Sequence, residues 1–196
     1  MSELDVNPEQ VSLGLYRLDD INSCKMFQDE KSTTQLLEFF RQIDNDREGL
    51  ETSGIYFPPK EENNSVLQDT SHFKRFLNLF LACTYIDNPL PPEIFFINQE
   101  ENYIGVLYYQ PEPVRNGELS GGLSLYLLPE FRKHGLGTKI TTDFIESKRG
   151  KINNIFFDVL KDNCAGQKSL SKLPGVKTVG HDNICTRYVV NLSNKK

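Results

Sequence analysis

The sequence predicts a single mixed α/β domain of 196 residues. Three strand patterns follow one another closely at Glu93–Asn98, Asn102–Tyr109 and Leu119–Leu128, as in an antiparallel meander. A turn, a helix at Thr138–Lys148 and a further strand at Ile152–Val159 then indicate a β-α-β crossover. The 38% hydrophobic content is enough for one core at this length.

The residues at about 22–92 predict a helix-rich insert that contains a long loop. Apolar residues at helical spacing predict a helix over Thr33–Ile43, with Ser32 or Thr33 as its N-cap. Residues Asp44–Asp69 are polar and interrupted by glycine and proline, so they predict a surface loop. Loops of that length are uncommon unless they are functional or mobile, which makes this one a candidate for substrate entry. Ser71–Ile86 is the most hydrophobic predicted helix, and the prolines after it end it.

The remaining elements lie at the two ends of the chain. They are a first strand at Val11–Leu18, a polar helix at about Asn163–Leu173, and a closing strand pair at Val176–Gly180 and Thr186–Leu192. Pro174-Gly175 separates that helix from the closing pair. No internal repeat is visible, so these elements are expected to belong to the same domain.

Composition excludes several classes of protein. The net charge of −5 and the pI near 5.3 argue against general nucleic-acid binding, which needs an excess of Lys and Arg on one face. No apolar run approaches the roughly 20 residues that span a bilayer. The acidic start MSELDVNPEQ is unlike a secretory signal, so a cytoplasmic protein without membrane contact is expected. The acidic balance fits either a cationic partner or simple solubility.

The four cysteines and three histidines are scattered along the chain. No CxxC pair is present among Cys24, Cys83, Cys164 and Cys185, so no metal site is expected. Cys164 and Cys185 are expected to fill core space, as buried free thiols commonly do. A cysteine nucleophile paired with a histidine is the functional alternative.

A basic, glycine-containing turn, Arg132-Lys133-His134-Gly135-Leu136-Gly137, joins a strand to a helix. A glycine turn at a helix N-terminus directs several unpaired N–H groups to one point, where the helix dipole adds positive charge. Such a point binds phosphate. The Lys-Ser/Thr of a Walker loop is absent, and Ile140 stands where a dinucleotide fingerprint needs its third glycine. The alternative is a turn without a ligand.

Two segments resemble motifs of the GNAT (Gcn5-related N-acetyltransferase) superfamily. Arg132 begins an R-x-x-G-x-G pattern after LYLLPE, which is similar to the acyl-CoA signature R/Q-x-x-G-x-G/A, with Leu127 where Val is usual. The segment Val159–Val176 is similar to a later family motif that begins at Asn163. The resemblance implies the GNAT fold, a central and mostly antiparallel twisted sheet with splayed fourth and fifth strands, flanked by helices.

The resemblance also implies that acetyl-CoA is the co-substrate, with its pantetheine arm between the splayed strands. Backbone groups near Leu127 would bind the arm, and Asn163 would contact it or orient the strand. The diphosphate would lie on the turn. The implied cofactor-binding residues are Leu127, Arg132, Lys133, His134, Gly135, Leu136, Gly137, Thr138 and Asn163.

The chemistry implied by the resemblance is direct attack of a primary amine on the thioester in a ternary complex. Glu118 is the candidate general base, with a solvated strand-end carboxylate as the alternative. The tyrosine that many family members use as an acid is replaced by Leu170, so Ser169 and Tyr188 are the candidates for that role. The acceptor is expected to be a small-molecule amine, a lysine side chain or a protein N-terminus.

A rival interpretation is a non-catalytic GNAT-fold module that binds CoA or a protein partner. The uncertain base and the missing tyrosine favour it. The intact cationic residues and both glycines of the turn favour retained cofactor binding. The sequence leaves the oligomeric state open between monomer and homodimer.

Overall fold

The computed structural model describes residues 11–16, 30–53, 90, 92–100, 102–115 and 117–193. The predicted helix Ser71–Ile86, Cys24 and Cys83 lie outside these ranges. The strands are β1 (Val11–Tyr16), β2 (Glu93–Gln99), β3 (Asn102–Arg115), β4 (Glu118–Leu127), β5 (Asn154–Leu160), β6 (Val176–His181) and β7 (Cys185–Asn191). The helices are α1 (Glu30–Asn45), α2 (Arg47–Ser53), α3 (Leu136–Lys148) and α4 (Cys164–Leu170).

The described strands form one seven-stranded sheet in the order β1-β2-β3-β4-β5-β7-β6. All neighbours are antiparallel except β4 and β5, which are parallel because α3 crosses between them. The predicted hairpin of β2 and β3 is confirmed, with Glu100 in the left-handed region at φ 55° at its turn. The predicted fold class, a mixed α/β fold with a mostly antiparallel sheet, is therefore confirmed.

Helices cover the sheet on both faces. Phe95 of β2 packs on Phe144 of α3, with ring centroids 5.4 Å apart. Phe96, the next residue, packs on Phe39 of α1 at 6.2 Å. Because successive strand residues point to opposite faces, these two contacts place α3 on one face and α1 on the other.

Two predictions for the N-terminal region are wrong. Helix α1 begins at Glu30, so Ser32 and Thr33 lie inside its first turn rather than at its cap. Residues 47–53, predicted as part of a surface loop, form α2. The polar sequence REGLETS carries no helical periodicity. Contacts with residues that are distant in the sequence hold α2 in position. The rest of the predicted loop, residues 54–69, lies outside the described ranges.

The prediction that Cys164 and Cys185 fill the core is also wrong. Cys164 is exposed because it is the first residue of α4, where the side chain points to solvent. Cys185 is half-buried on β7, next to the edge strand β6. Burial raises the pKa of the Cys185 thiol, and the negative charge of Asp182 adds to this. No helix within the described ranges is long and apolar enough to cross a membrane.

Candidate functional site

Strands β4 and β5 separate along most of their length. Their parallel pairing covers only three positions, Ser120–Gly122 of β4 against Asn154–Phe156 of β5. Beyond Gly122, no residue of β4 pairs with β5, although β4 continues to Leu127. A gap therefore opens in the sheet between the C-terminal halves of these two strands.

The backbone of β4 presents hydrogen-bonding groups to this gap. The N–H of Leu128 donates to the C=O of Ile104 on the β3 side at 2.9 Å. Because hydrogen-bonded and non-hydrogen-bonded pairs alternate in an antiparallel ladder, the N–H and C=O groups of Leu125 and Leu127 point away from β3. They face the gap, where an extended ligand can pair with them as a strand would.

A cradle of backbone amides lies where β4 leads into α3. Gly135 caps α3 in the left-handed region at φ 79°, and Lys133 has φ 69°. The first helical hydrogen bond runs from the N–H of Lys139 to the C=O of Gly135 at 3.1 Å. In the part of the chain that the structure describes, no acceptor lies on the N–H groups of residues 133–138. We call these six residues the amide cradle, an arrangement that binds anions.

The two glycines of the turn serve different purposes. A Cβ at Gly135 would have no atom within 4 Å, so only the positive φ calls for glycine there. A Cβ at Gly137 would lie 3.6 Å from Leu125 Cδ2 and 3.9 Å from Leu127 Cδ1, in ordinary contact with the sheet. Lys133 and His134 are exposed beside the cradle.

The side chain of Arg132 is turned inward. Its Nε donates to the C=O of Leu127 at 2.8 Å, and its Nη2 pairs with the carboxylate of Asp46 between α1 and α2. Tyr126 donates its hydroxyl to the same carboxylate at 2.8 Å, and its ring lies 5.2 Å from the guanidinium. Burial, reinforced by the Asp46 hydrogen bond and charge, raises the pKa of Tyr126. The guanidinium thus holds the end of β4, while the main chain of the turn forms the cradle.

Sequence reasoning missed Asp46, which lies 86 residues from Arg132. Sequence reasoning also missed Gly49. Glycine is unfavourable inside a helix, so its presence is informative, but only once residues 47–53 are known to form a helix. A Cβ built at Gly49 would collide with the Asp46 carboxylate and the Arg132 guanidinium. Glycine at this position of α2 therefore makes room for the ion pair.

Asn163 is the N-cap of α4. Its Oδ1 accepts from the N–H of Gly166 at 2.8 Å, and its Nδ2 donates to the C=O of Thr52 in α2 at 3.0 Å. Both ends of the amide are engaged within the protein. Asn163 thus lies beside the open end of β5, where it connects α4 to α2.

The candidate acids lie on different elements. Ser169 is half-buried, and its hydroxyl is 2.9 Å from the hydroxyl of Thr138 in the amide cradle. Tyr188 lies on β7 opposite Phe157, so β5 separates it from the gap. Leu170, at the position of the family tyrosine, is only 7% exposed. Ser169 is therefore the candidate that contacts the cradle.

Glu118 lies at the opposite end of β4 from the cradle. It is exposed, and its carboxylate accepts from Nδ2 of Asn154 at 3.2 Å. The paired segment Ser120–Gly122 stands between Glu118 and the open gap. Its role as a base stays a prediction. Across the described ranges, no three His, Cys, Asp or Glu side chains converge as a ligand set for a metal.

Comparison with known proteins agrees with this geometry. Residues 54–172 match the model of a family described as "Acetyltransferase (GNAT) family". No curated protein sequence matches the chain.

Solved acetyltransferase structures share the fold at low sequence identity. A spermidine N-acetyltransferase from Vibrio cholerae, in complex with CoA and spermine, is 13% identical with a TM-score of 0.61, over 94% of this chain and 97% of that one. A ribosomal-protein-S5-alanine acetyltransferase from Vibrio fischeri is 15% identical with a TM-score of 0.59, over 95% and 96%. The N-acetyltransferase PseH from Campylobacter jejuni is 14% identical with a TM-score of 0.52, over 92% and 99%.

Proposed function

Since this chain belongs to the GNAT acetyltransferase family, we propose that it transfers the acetyl group of acetyl-CoA to a primary amine by direct attack in a ternary complex. The observation that carries the proposal is the conjunction of the β4–β5 gap with the amide cradle at its mouth. An extended chain that ends in a diphosphate fits both features at once.

The gap suits the pantetheine arm because the arm carries amide groups along an extended chain. The groups of Leu125 and Leu127 that face the gap supply strand-like partners for it. Arg132 already binds the C=O of Leu127, so the N–H of Leu127 and both backbone groups of Leu125 are the partners left for the ligand. The N–H of Leu127 is also the candidate to stabilise the oxyanion that forms at the thioester carbon.

The amide cradle suits the diphosphate. Six N–H groups, the N-terminal end of the α3 dipole and the exposed side chains of Lys133 and His134 all favour negative charge there. The hydroxyl of Thr138 adds a further donor. Recognition rests on the main chain, so the conformation of the turn matters more than any one side chain.

The amine must lose a proton before it attacks, because a lysine-type amine has a pKa near 10.4. Glu118 is the proposed base, acting through water across the paired segment of β4 and β5. Ser169 and Tyr188 are both proposed as candidates to protonate the leaving thiolate. Ser169 contacts the amide cradle, which is assigned to the diphosphate end of the cofactor and not to its thiol. The turnover of Glu118→Gln tests the assignment of the base.

The acceptor is proposed to enter on the α2 face of the sheet, because α3 covers the other face. The fold supports several amine classes. The neighbours include one enzyme described with spermine and one described as acting on a ribosomal-protein alanine. A polyamine, a peptide N-terminus and a lysine side chain are therefore the acceptors to compare.

The test has two stages. Acetyl-CoA is expected to raise the melting temperature, because a ligand that binds only the folded state stabilises it. Thiol release from acetyl-CoA is then measured with spermidine, an alanine-starting peptide and a lysine peptide that is blocked at its N-terminus. No shift at millimolar acetyl-CoA would refute the proposal. A shift without turnover on any amine would favour the non-catalytic, CoA-binding module.

A further inference from the structure

Helix α2 spans the mouth of the β4–β5 gap. At its start, the carboxylate of Asp46 is held by Tyr126 near the end of β4 and by Arg132 just beyond it. Near its end, the C=O of Thr52 accepts from Asn163, three residues after β5 ends at Leu160. The short helix is thus anchored to both of the strands that separate.

The length of this bridge matches the width of one inserted strand. Six residue steps lead from Asp46 to Thr52, or about 9 Å at roughly 1.5 Å per helical residue. Two strands with one more strand between them lie about 9.5 Å apart, which is twice the usual spacing of roughly 4.8 Å. The length of α2 is therefore comparable to the space that one extended chain needs.

The contacts that hold the two ends of α2 resist displacement of the helix. The Asp46 and Arg132 side chains are 20% and 35% exposed, so solvent only partly screens their pairing. The Arg132 guanidinium also binds the C=O of Leu127 on the gap edge, so α2 and the ligand-facing backbone share one cation. On the other side of the gap, Asn163 caps α4 with one end of its amide and holds α2 with the other.

We propose that α2 is a spacer that sets the width of the acyl-CoA channel, with Asp46 and Asn163 as its positioning residues. The inference rests on the proposed function, since it assigns the gap to the pantetheine arm. It predicts that loosening either anchor weakens binding of the arm and leaves binding of the diphosphate at the amide cradle unchanged. A merely structural role for α2 would lower stability without separating these two parts of the ligand.

Asn163→Asp is the decisive variant. Aspartate accepts the N–H of Gly166 as well as asparagine does, so the α4 cap is kept. It lacks the amide donor, so the bond to the C=O of Thr52 is lost. Asp46→Asn loosens the other anchor by removing the charge that pairs with Arg132. Glu146→Gln is the matched control, because it breaks an exposed ion pair with Arg149 near the C-terminal end of α3, the end opposite the amide cradle.

Affinities for CoA and for ADP, which carries the diphosphate without the arm, are measured by calorimetry well below each variant's melting temperature. Asn163→Asp and Asp46→Asn are each expected to weaken CoA binding about tenfold, or about 1.4 kcal/mol. ADP binding is expected to change by less than about twofold, a difference of about 0.4 kcal/mol. Glu146→Gln is expected to alter neither affinity.

Two outcomes would refute the proposal that α2 sets the width of the channel. Equal CoA affinity in Asn163→Asp and the wild type would show that the anchor does not set the channel. Equal losses for CoA and ADP would show an effect on the cradle instead of on the arm. Failure of the proposed function is distinguishable, because it appears in the wild type itself, either as no binding of CoA or as binding of acetyl-CoA without turnover on any amine.

Discussion

Replacing each glycine of the amide cradle by alanine should change stability in opposite directions. Gly135 has φ 79° and Gly137 lies within the first turn of α3. Alanine in the left-handed region costs about 1 kcal/mol or more. Alanine inside a helix is better than glycine by up to about 1 kcal/mol. The new Cβ at Gly137 would also make ordinary contacts with two leucines, at 3.6 and 3.9 Å.

These energies are large enough to measure. For chains of this size, 1 kcal/mol shifts the melting temperature by roughly 2–4 °C. Gly135→Ala should therefore melt about 2–4 °C below the wild type, and Gly137→Ala up to about 2–4 °C above it. Acetyl-CoA at 100 times its Kd adds about 2.7 kcal/mol, or roughly 5–11 °C. Gly137→Ala should keep that increase, whereas Gly135→Ala should lose most of it, because a changed φ redirects the cradle N–H groups.

Thermal unfolding of the wild type and the two variants, each with and without acetyl-CoA, measures the six melting temperatures. Lys133→Gly is the control for backbone strain, since Lys133 also has a positive φ of 69°. Glycine at position 133 relieves about 1 kcal/mol of backbone strain, and it costs roughly 0.5–1 kcal/mol in conformational entropy on folding. The two effects offset each other, so the melting temperature of Lys133→Gly should stay near that of the wild type. Shifts of the same sign in Gly135→Ala and Gly137→Ala would refute the different reasons given for the two glycines.

Three further predictions test other parts of the molecule. Gly49→Ala should lower the melting temperature although alanine favours helices, because its Cβ displaces the ion pair of Asp46 and Arg132; a higher melting temperature would contradict this. Burial and nearby carboxylates raise the pKa of Tyr109 to about 12, so the stability it contributes is present below pH 10 and is lost as the pH rises toward 12. Tyr109→Phe should therefore flatten the fall in unfolding free energy over that window, and an equally steep fall would exclude the tyrosine as its source. Glu118→Gln should keep the acetyl-CoA shift and slow turnover; unchanged turnover from pH 7 to 9 would dismiss Glu118 as the base.

Local patterns were sufficient for most of the architecture. The two apolar, strand-like runs EIFFIN and NYIGVLYY, separated only by QEE, predicted the β2–β3 hairpin, which the register confirms. The glycine turn predicted the start of α3 to within two residues, at Leu136 instead of Thr138. These signals can be read from the sequence because each depends on residues that are neighbours in the chain. An apolar pattern shows which residues of one element are buried, and a glycine turn shows where the chain changes direction.

The errors have a shared origin. Helix α2 lacks an apolar stripe and is held by Asp46 and by Asn163, which lies 111 residues from Thr52. The inward turn of Arg132 depends on a carboxylate 86 residues away. The exposure of Cys164 follows from its place at the start of α4 rather than from its residue type. None of these contacts leaves a periodic trace in the sequence.

The sequence by itself determined the order of strands and helices, the family motif and the position of the amide cradle, because these depend on residues close together in the chain. Only the tertiary structure decided where β4 and β5 separate, that Arg132 holds the end of β4, and that α2 bridges the gap. The physical reason is that hydrogen bonds and ion pairs between distant segments form only when the sheet brings those segments together.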